Sequence, residues 1–170
     1  INGQFTVAPI RQVVFVRFTP GFRDALVRFG LRELDEAIRS AILQQAQNAF
    51  RGIGVEFREF VPDDYRLFAQ VDVTGFDPNG LSLMGYDNTP GKDVGNERLY
   101  DRIGGVHAAT QEDGYPGYGG IFVDSFFAFS KHPPPGVQPS PGSSELFDAI
   151  FDPFRPDKGN PATKGEADTF

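Results

Sequence analysis

The segment RELDEAIRSAILQQAQNAF, residues 32–50, followed by RGIG at residues 51–54, determines the fold that we expect of this chain. Its apolar side chains recur every three to four residues and form one stripe, which predicts an amphipathic helix. Acidic residues in the first turn suit the positive end of the helix dipole, and Gly52 or Gly54 supplies the left-handed stop. A helix with one apolar face must lie on an apolar surface, so hydrophobic strands are expected around it. The stripe consists of Leu34, Ile38, Ala41, Ile42, Ala49 and Phe50.

Four other segments have the pattern of β-strands. Residues 12–18 (QVVFVRF) are apolar on both alternating faces, which is typical of a central strand covered on both sides. Residues 55–61 alternate as in a half-exposed or edge strand, and residues 66–74 alternate again. Residues 121–129 (IFVDSFFAF) form the most hydrophobic segment and predict a further strand, in which Asp124 needs a partner if it is buried.

These elements predict an α/β fold. We expect a mixed, twisted sheet of about four to five strands, with one long helix packed on a face and long Gly/Asp-rich loops. A strand, a helix and a second strand joined by one crossover most often form a right-handed parallel pair. Residues 12–18 and 66–74 are expected to be neighbours in the sheet, with residues 121–129 in the same sheet. Residues 22–31 are expected to be a connecting segment with a helical turn.

The domain organisation follows from the distribution of proline. Residues 132–161 contain eight of the 14 prolines, and this segment is expected to be a loop interrupted by one short helix that begins at Ser143 or Ser144. We expect residues 1–170 to be a single domain or an N-terminal subdomain. In either case residues 1–130 hold the sheet and the long helix, and residues 131–170 hold the proline-rich loop, the short helix and a tail.

Composition and charge limit the classes of function. The 170 residues contain no cysteine, which excludes thiol catalysis, disulfides and thiolate metal sites within them. The net charge of -7 argues against nucleic acid or an anionic membrane as a partner. No apolar segment approaches the ~20 residues of a membrane span. The sequence begins at Ile1 rather than Met, for which a cleaved export signal is one explanation and a shortened sequence is another.

Residues 75–120 are the best candidate for a functional segment. They contain eleven of the 20 glycines and many acidic residues, and a loop of this length is usually functional or held by a ligand. Calcium binds six to eight oxygen ligands of the kind that such a loop supplies. The alternative is that Asp, Asn and Gly only form turns, with apolar anchors such as Leu81, Leu83, Tyr86 and Tyr100. His107 and His132 are interpreted as ordinary loop histidines. The candidate calcium ligands are Asp77, Asp87, Asp93 and Asp101.

The order of these segments also carries a resemblance to a known family. A strand is followed by a long helix that ends in GIGVEF (residues 52–57), by two strands, by an Asp/Gly-rich segment and by YGGIFV (residues 118–123). DVGN (residues 93–96) and SFFAFS (residues 125–130) add to it. Over roughly residues 12–130 the chain resembles the N-terminal half of a metzincin-type, matrixin-like zinc metallopeptidase domain of secreted bacterial proteins. In that family a glycine-rich loop region precedes the edge strand that cradles the peptide substrate.

The resemblance implies a function only in part. The family carries its zinc ligands and general base on a His-Glu-x-x-His helix after these strands, and this sequence contains no such motif. Met84 is the only methionine and lies upstream, so it is not the methionine turn of the family. The chain would then be the N-terminal portion of a secreted zinc metallopeptidase-like domain that is not catalytic by itself.

The remaining implications concern cofactors, partners and location. Zinc would be bound only if the missing C-terminal segment is present, and calcium would be structural. The partner would be a C-terminal half of the same protein or identical subunits. The resemblance implies a secreted, periplasmic or cell-surface location.

Two other classes of function remain open. One is a non-catalytic secreted or cell-surface domain for structure or assembly, with calcium-stabilised loops. The other is a stand-alone enzyme of another kind, which needs a carboxylate pair that the sequence does not identify. A His-Glu-x-x-His motif downstream in the intact gene would select the peptidase, whereas a natural stop codon after Phe170 would favour the non-catalytic domain.

Overall fold

The computed structural model describes residues 11–29, 31–88, 102–104, 117–129, 131, 133 and 137–144. The described elements are β1 (Gln12–Phe18), α1 (Pro20–Arg28), a 3-10 turn (Arg32–Leu34), α2 (Asp35–Ala49), β2 (Val55–Arg58), β3 (Ala69–Thr74), β4 (Gly85–Tyr86), β5 (Arg102–Ile103), β6 (Gly120–Phe122) and α3 (Val123–Phe127).

The strands form one mixed sheet in the order β2-β1-β3-β6-β4, and β5 also pairs with β3. β1 is parallel to β2, as expected for strands joined by a helical crossover, and its other neighbour is β3, as predicted, which is also parallel to it. β3 is parallel to β5 and β6, whereas β4 is antiparallel to β6. The prediction of an α/β fold is confirmed, and the described residues contain six strands. β6, which follows the glycine-rich segment, lies between β3 and β4, so the edge strand on this side of the sheet is β4.

The hydrophobic core lies between one face of the sheet and the helices. Val14 and Val16 of β1 and Val73 of β3 contribute from the sheet. The helices contribute buried side chains that include Ile38 of α2. The other described members of this core are Phe22, Ala25, Leu26, Phe29, Leu31, Ala69, Val123 and Phe127.

The long helix is present and is preceded by the 3-10 turn, so the α-helix itself begins at Asp35. The chain reverses after it through two left-handed glycines, Gly52 at φ 88° and Gly54 at φ 71°. Burial decreases along the helix: Ile38 is fully buried and Ile42 is partly buried. Ala49 and Phe50, which were expected in the apolar stripe, are exposed. The expected stripe was therefore too long at its C-terminal end, because that part of α2 extends beyond the core.

Residues 22–31 form more than the connecting segment that was expected. Helix α1 extends over nine residues, with Pro20 in its first turn and the extended Thr19 before it. Phe22 and Leu26 of this helix are buried in the core. A proline directly after a strand can simply end it, but proline is also favoured at the first position of a helix because its missing N–H is not needed there.

The prediction of a strand at residues 121–129 was largely wrong. Only its first two residues belong to β6, and the chain then turns into α3. A segment that is apolar throughout satisfies both the strand and the helix period, so periodicity alone could not decide between them. Val123 and Phe127 are buried one helical turn apart. Asp124 has the partner that was expected of it, because Arg28 Nη2 donates to its Oδ2 at 2.5 Å.

The remaining strand predictions were too long at one end. β2 stops at Arg58 rather than at residue 61, and β3 begins at Ala69 rather than at residue 66. β2 is an edge strand, as expected. The short helix predicted after Ser143 or Ser144 lies outside the described residues, so the division of the chain at residue 130 stays a prediction. None of the described helices is both long and apolar enough to cross a membrane.

Candidate functional site in the glycine-rich segment

Asp77 organises the first turn of the glycine-rich segment. Its Oδ1 accepts hydrogen bonds from the backbone N–H and the side-chain amide of Asn79, at 2.9 and 2.8 Å. Its Oδ2 accepts from the N–H groups of Leu81 and Leu83, both at 3.0 Å. Ser82, between these two leucines, has the left-handed φ of 56°. The N–H groups of these alternate residues converge on one anion, which is the carboxylate of the loop itself.

The charge state of Asp77 follows from these contacts. Partial burial opposes ionisation, but the hydrogen bonds from the backbone and from Asn79 outweigh it, and the pKa of Asp77 is lowered from 3.8. Both oxygens of the ionised carboxylate are therefore already used by the loop. A calcium ion would have to compete with these four donors for Asp77.

The structure places the other candidate ligands as follows. Asp87 is exposed and lies directly after β4. Asp93 and Asp101 lie outside the described residues, as do His107 and His132. Within the described ranges, no three His, Cys, Asp or Glu side chains are grouped so that they could hold a metal ion. The described donors do not by themselves make a calcium site, and the full set of four aspartates stays a prediction.

Two asparagine side chains attach the distant parts of the segment to each other. Asn79 donates to the backbone oxygen of Tyr118 at 3.0 Å and accepts from its N–H at 2.8 Å. The buried Asn88 donates to the backbone oxygen of Gly117 and accepts from the N–H of Gly104, both at 3.3 Å. These amides are a further source of order in the segment, besides the ion and the apolar anchors that the sequence predicted as alternatives. Leu81, one of the proposed anchors, is exposed.

A half-buried ion pair lies below these attachments, on the sheet face opposite to the core. Arg17 of β1 and Asp72 of β3 are register partners, and Arg17 binds both oxygens of the carboxylate. The Asp72 side chain is only 5% exposed, whereas that of Arg17 is 47% exposed. Gln70 adds a hydrogen bond of 2.9 Å to Asp72. The hydrogen bond from Arg17 to Asp72 raises the pKa of Arg17, although burial acts in the opposite direction.

Glycine is required where the segment crosses this ion pair. Gly120 has φ 131°, and a Cβ there would lie 2.8 Å from the backbone oxygen of Asp72. A Cβ on Gly119 would overlap the side chain of Asn88. Glycine at positions 119 and 120 is thus explained by close approach of the backbone to the sheet and to Asn88.

A cleft of about 370 Å³ opens at the carboxyl ends of β1 and β3. From β1 the chain continues to β2 on one side of the sheet, and from β3 it continues to β4 on the other side. The gap between the ends of two such strands is the place where open α/β sheets bind ligands. Its walls combine polar and apolar groups, and the buried Thr19 Oγ1 has no hydrogen-bond partner among the described residues. The cleft is lined by Arg17, Thr19, Asp72, Thr74, Pro78, Tyr118, Gly119 and Phe122.

Sequence reasoning did not identify Arg17 and Asp72. A signal was present, because each is a charged residue inside a segment that was correctly predicted as a strand, and these strands were predicted to be neighbours. Opposite charges near the ends of adjacent strands are the expected form of a cross-strand pair.

Comparisons with known proteins do not add a family to this description. No protein-family model matches the chain, and neither a curated protein nor a solved structure matches it. The function must therefore be argued from the residues and their geometry.

Proposed function

We propose that this chain is the sheet-bearing, N-terminal portion of a secreted zinc metallopeptidase-like domain, and that it is not catalytic by itself. One observation carries the proposal: the glycine-rich segment supplies a short antiparallel strand, β4, at the edge of an otherwise parallel sheet. An exposed sheet edge offers main-chain donors and acceptors to which an extended peptide can add as a further strand.

The surroundings of β4 fit this role. Gly85 is exposed and has no side chain on the edge, so a peptide backbone could approach closely. Met84, which precedes it, is an exposed apolar side chain of the kind that contacts alternate residues of a bound peptide. Among the described strands, β4 pairs with β6 alone.

The zinc chemistry of the proposal belongs to residues that this sequence does not contain. When bound, zinc would activate a water molecule and polarise the peptide carbonyl. The 170 residues have two histidines and no His-Glu-x-x-His motif, so we assign them no catalytic residue. The proposed partner is a C-terminal half of the same protein or identical subunits, and the proposed location is secreted, periplasmic or cell surface.

The test uses the chain with and without the sequence that follows it in its gene. We expect the pure 170-residue protein to leave casein uncleaved with or without added zinc, because the ligand set is absent. A longer gene product that contains a His-Glu-x-x-His motif should cleave casein in a chelator-sensitive manner. Chelator-sensitive cleavage by the 170-residue protein would contradict the assignment, and so would a natural stop codon at its end, which favours a structural or assembly domain.

Peptide binding at β4 is tested separately. An unstructured casein peptide in excess should slow hydrogen exchange of the backbone amides at residues 84–86, and exchange in β2 at the opposite edge provides the control. Slower exchange at both edges would indicate nonspecific association, and unchanged exchange at residues 84–86 would contradict peptide binding at β4.

A further inference from the structure

At the opposite edge of the sheet, a side chain of α2 forms hydrogen bonds with the backbone of β2. Gln47 Nε2 donates to the backbone oxygen of Val55 at 2.8 Å. The backbone N–H of Phe57 donates to Gln47 Oε1 at 3.2 Å. Among the described strands β2 pairs with β1 alone, so these two backbone groups face away from the sheet.

The amide of Gln47 imitates a neighbouring strand. A glutamine side chain carries one carbonyl acceptor and an NH₂ donor, as a peptide group carries one acceptor and one donor. In a parallel ladder, alternate residues direct their N–H and C=O groups to the same side. Gly54 directs its oxygen towards β1, where it accepts from the N–H of Gln12, and the next residue, Val55, directs its oxygen outwards to Gln47. Gln47 therefore forms hydrogen bonds with backbone groups of β2 to which another strand would otherwise bind.

The residues that flank β2 would favour association with another chain if the edge of β2 were open. Ile53 lies before the strand, and Phe60 and Val61 lie after it, and all three side chains are exposed, with Phe60 at 75%. An unprotected edge strand flanked by apolar side chains is a template for pairing with another chain.

The strand is also complementary to itself. Glu56 and Arg58 lie on either side of Phe57 and are on the same face of β2. If two copies of β2 paired antiparallel about Phe57, Glu56 of one copy would lie opposite Arg58 of the other. Opposite charges across a strand pair favour that register. Within one copy Arg58 already pairs with Glu56 and Asp64, so the ion pairs between copies would form by exchange with these.

We propose that Gln47 closes the outer edge of β2 against a second copy of this chain, and that removal of its amide allows two copies to pair through β2. The inference is independent of the peptidase proposal, which concerns the other edge of the sheet.

The first test is the oligomeric state of variants at this position. Gln47→Ala and Gln47→Met both remove the two hydrogen bonds, and both residues are good helix formers, so α2 should be retained. In sedimentation equilibrium we expect both variants to form dimers at concentrations at least about tenfold lower than the unaltered chain, a change of about 1.4 kcal/mol. Gln44→Ala, at an exposed position of the same helix, is the matched control and should behave as the unaltered chain. Equal association of all four proteins would overturn the proposal.

The second test locates the contact by hydrogen exchange. In dilute samples the Phe57 amide should exchange faster in Gln47→Ala and Gln47→Met than in the unaltered chain, because its acceptor is removed. As the concentration of either variant rises, protection should return within Val55–Arg58. Dimers without concentration-dependent protection of β2 would show that the copies meet elsewhere, and would overturn the proposal. Circular dichroism of both variants verifies that α2 is folded, and Gln47→Glu provides a third variant that retains the acceptor for Phe57 but loses the donor to Val55.

Discussion

The carboxylate of Asp77 is stabilised in its ionised form by the loop that it organises. Because the folded state lowers its pKa below 3.8, the unfolded chain takes up a proton before the folded chain does as the pH falls. The stabilisation from Asp77 is therefore fully present above its ordinary pKa and is lost as the pH falls through the lowered value of the folded state. Because this stabilisation depends on pH, the effect of replacing Asp77 should also depend on pH.

We expect Asp77→Asn to reduce the free energy of unfolding by about 1–3 kcal/mol at pH 7. Asparagine has a single carbonyl oxygen, and its NH₂ group would face the N–H groups of Leu81 and Leu83. The difference from the unaltered chain should shrink as the pH is lowered below 4. Urea unfolding at a series of pH values measures it, and the exposed Asp63→Asn is the control, with a change below about 0.5 kcal/mol at pH 7. A difference that does not vary with pH would show that the charge of Asp77 is not involved.

At the scale of secondary-structure elements, the first half of α2 makes most of the contribution of this helix to the stability of the fold. Ile38 is fully buried in the core, Ile42 is partly buried, and Gln44 is exposed. Ile38→Ala should therefore cost about 2–5 kcal/mol, Ile42→Ala less, and Gln44→Ala less than about 0.5 kcal/mol. Denaturant melts of the three variants give this order directly. An Ile42→Ala variant less stable than Ile38→Ala would contradict the decrease of burial along α2, because both side chains lie on the same face of the helix.

The sequence correctly predicted the elements whose hydrophobic periodicity fits only one type of secondary structure. The two-sided apolar strand β1 was predicted at its observed bounds, and α2 was predicted from its stripe. α3 was missed because an apolar segment fits both periods, and the decision between them depends on tertiary packing of Val123 and Phe127. α1 was missed because proline and glycine after a strand signal both a turn and a helix start.

The candidate site was predicted less completely than the fold. Asp77 was singled out as a calcium ligand, which stays a prediction, and its observed hydrogen-bond partners are mainly backbone groups that no sequence pattern displays. The attachments made by Asn79 and Asn88 join residues far apart in the sequence. Such contacts depend on how the segment folds back over the sheet, and local propensity does not contain that information.

At the scale of the whole molecule, the two faces of the sheet have different roles. The described helices pack on one face and supply the core. On the other face the Arg17–Asp72 pair lies below the glycine-rich crossing at Gly119 and Gly120. The first face is stabilised by apolar burial, whereas the second combines buried apolar side chains such as Val13 and Phe15 with the hydrogen bonds and charges of the Arg17–Asp72 pair. The glycine-rich segment crosses the second face, so a ligand of this segment should affect that face more than the first.

Calcium is the ligand that the sequence predicts for this segment, and its effect on the whole molecule is measurable. An ion that binds the folded state alone adds about 2.7 kcal/mol at a free concentration 100 times its dissociation constant. For a chain of this length that corresponds to a rise in melting temperature of roughly 5–11 °C between EDTA and saturating calcium. Asp77→Asn should retain most of this rise, because the carboxylate already binds N–H groups of its own loop. Asp93→Asn and Asp101→Asn should lose it if those residues are ligands. Coincident melting curves in EDTA and in calcium, with unchanged proteolysis of residues 75–120, would leave hydrogen bonds such as those of Asn79 and Asn88 as the basis of order in the segment.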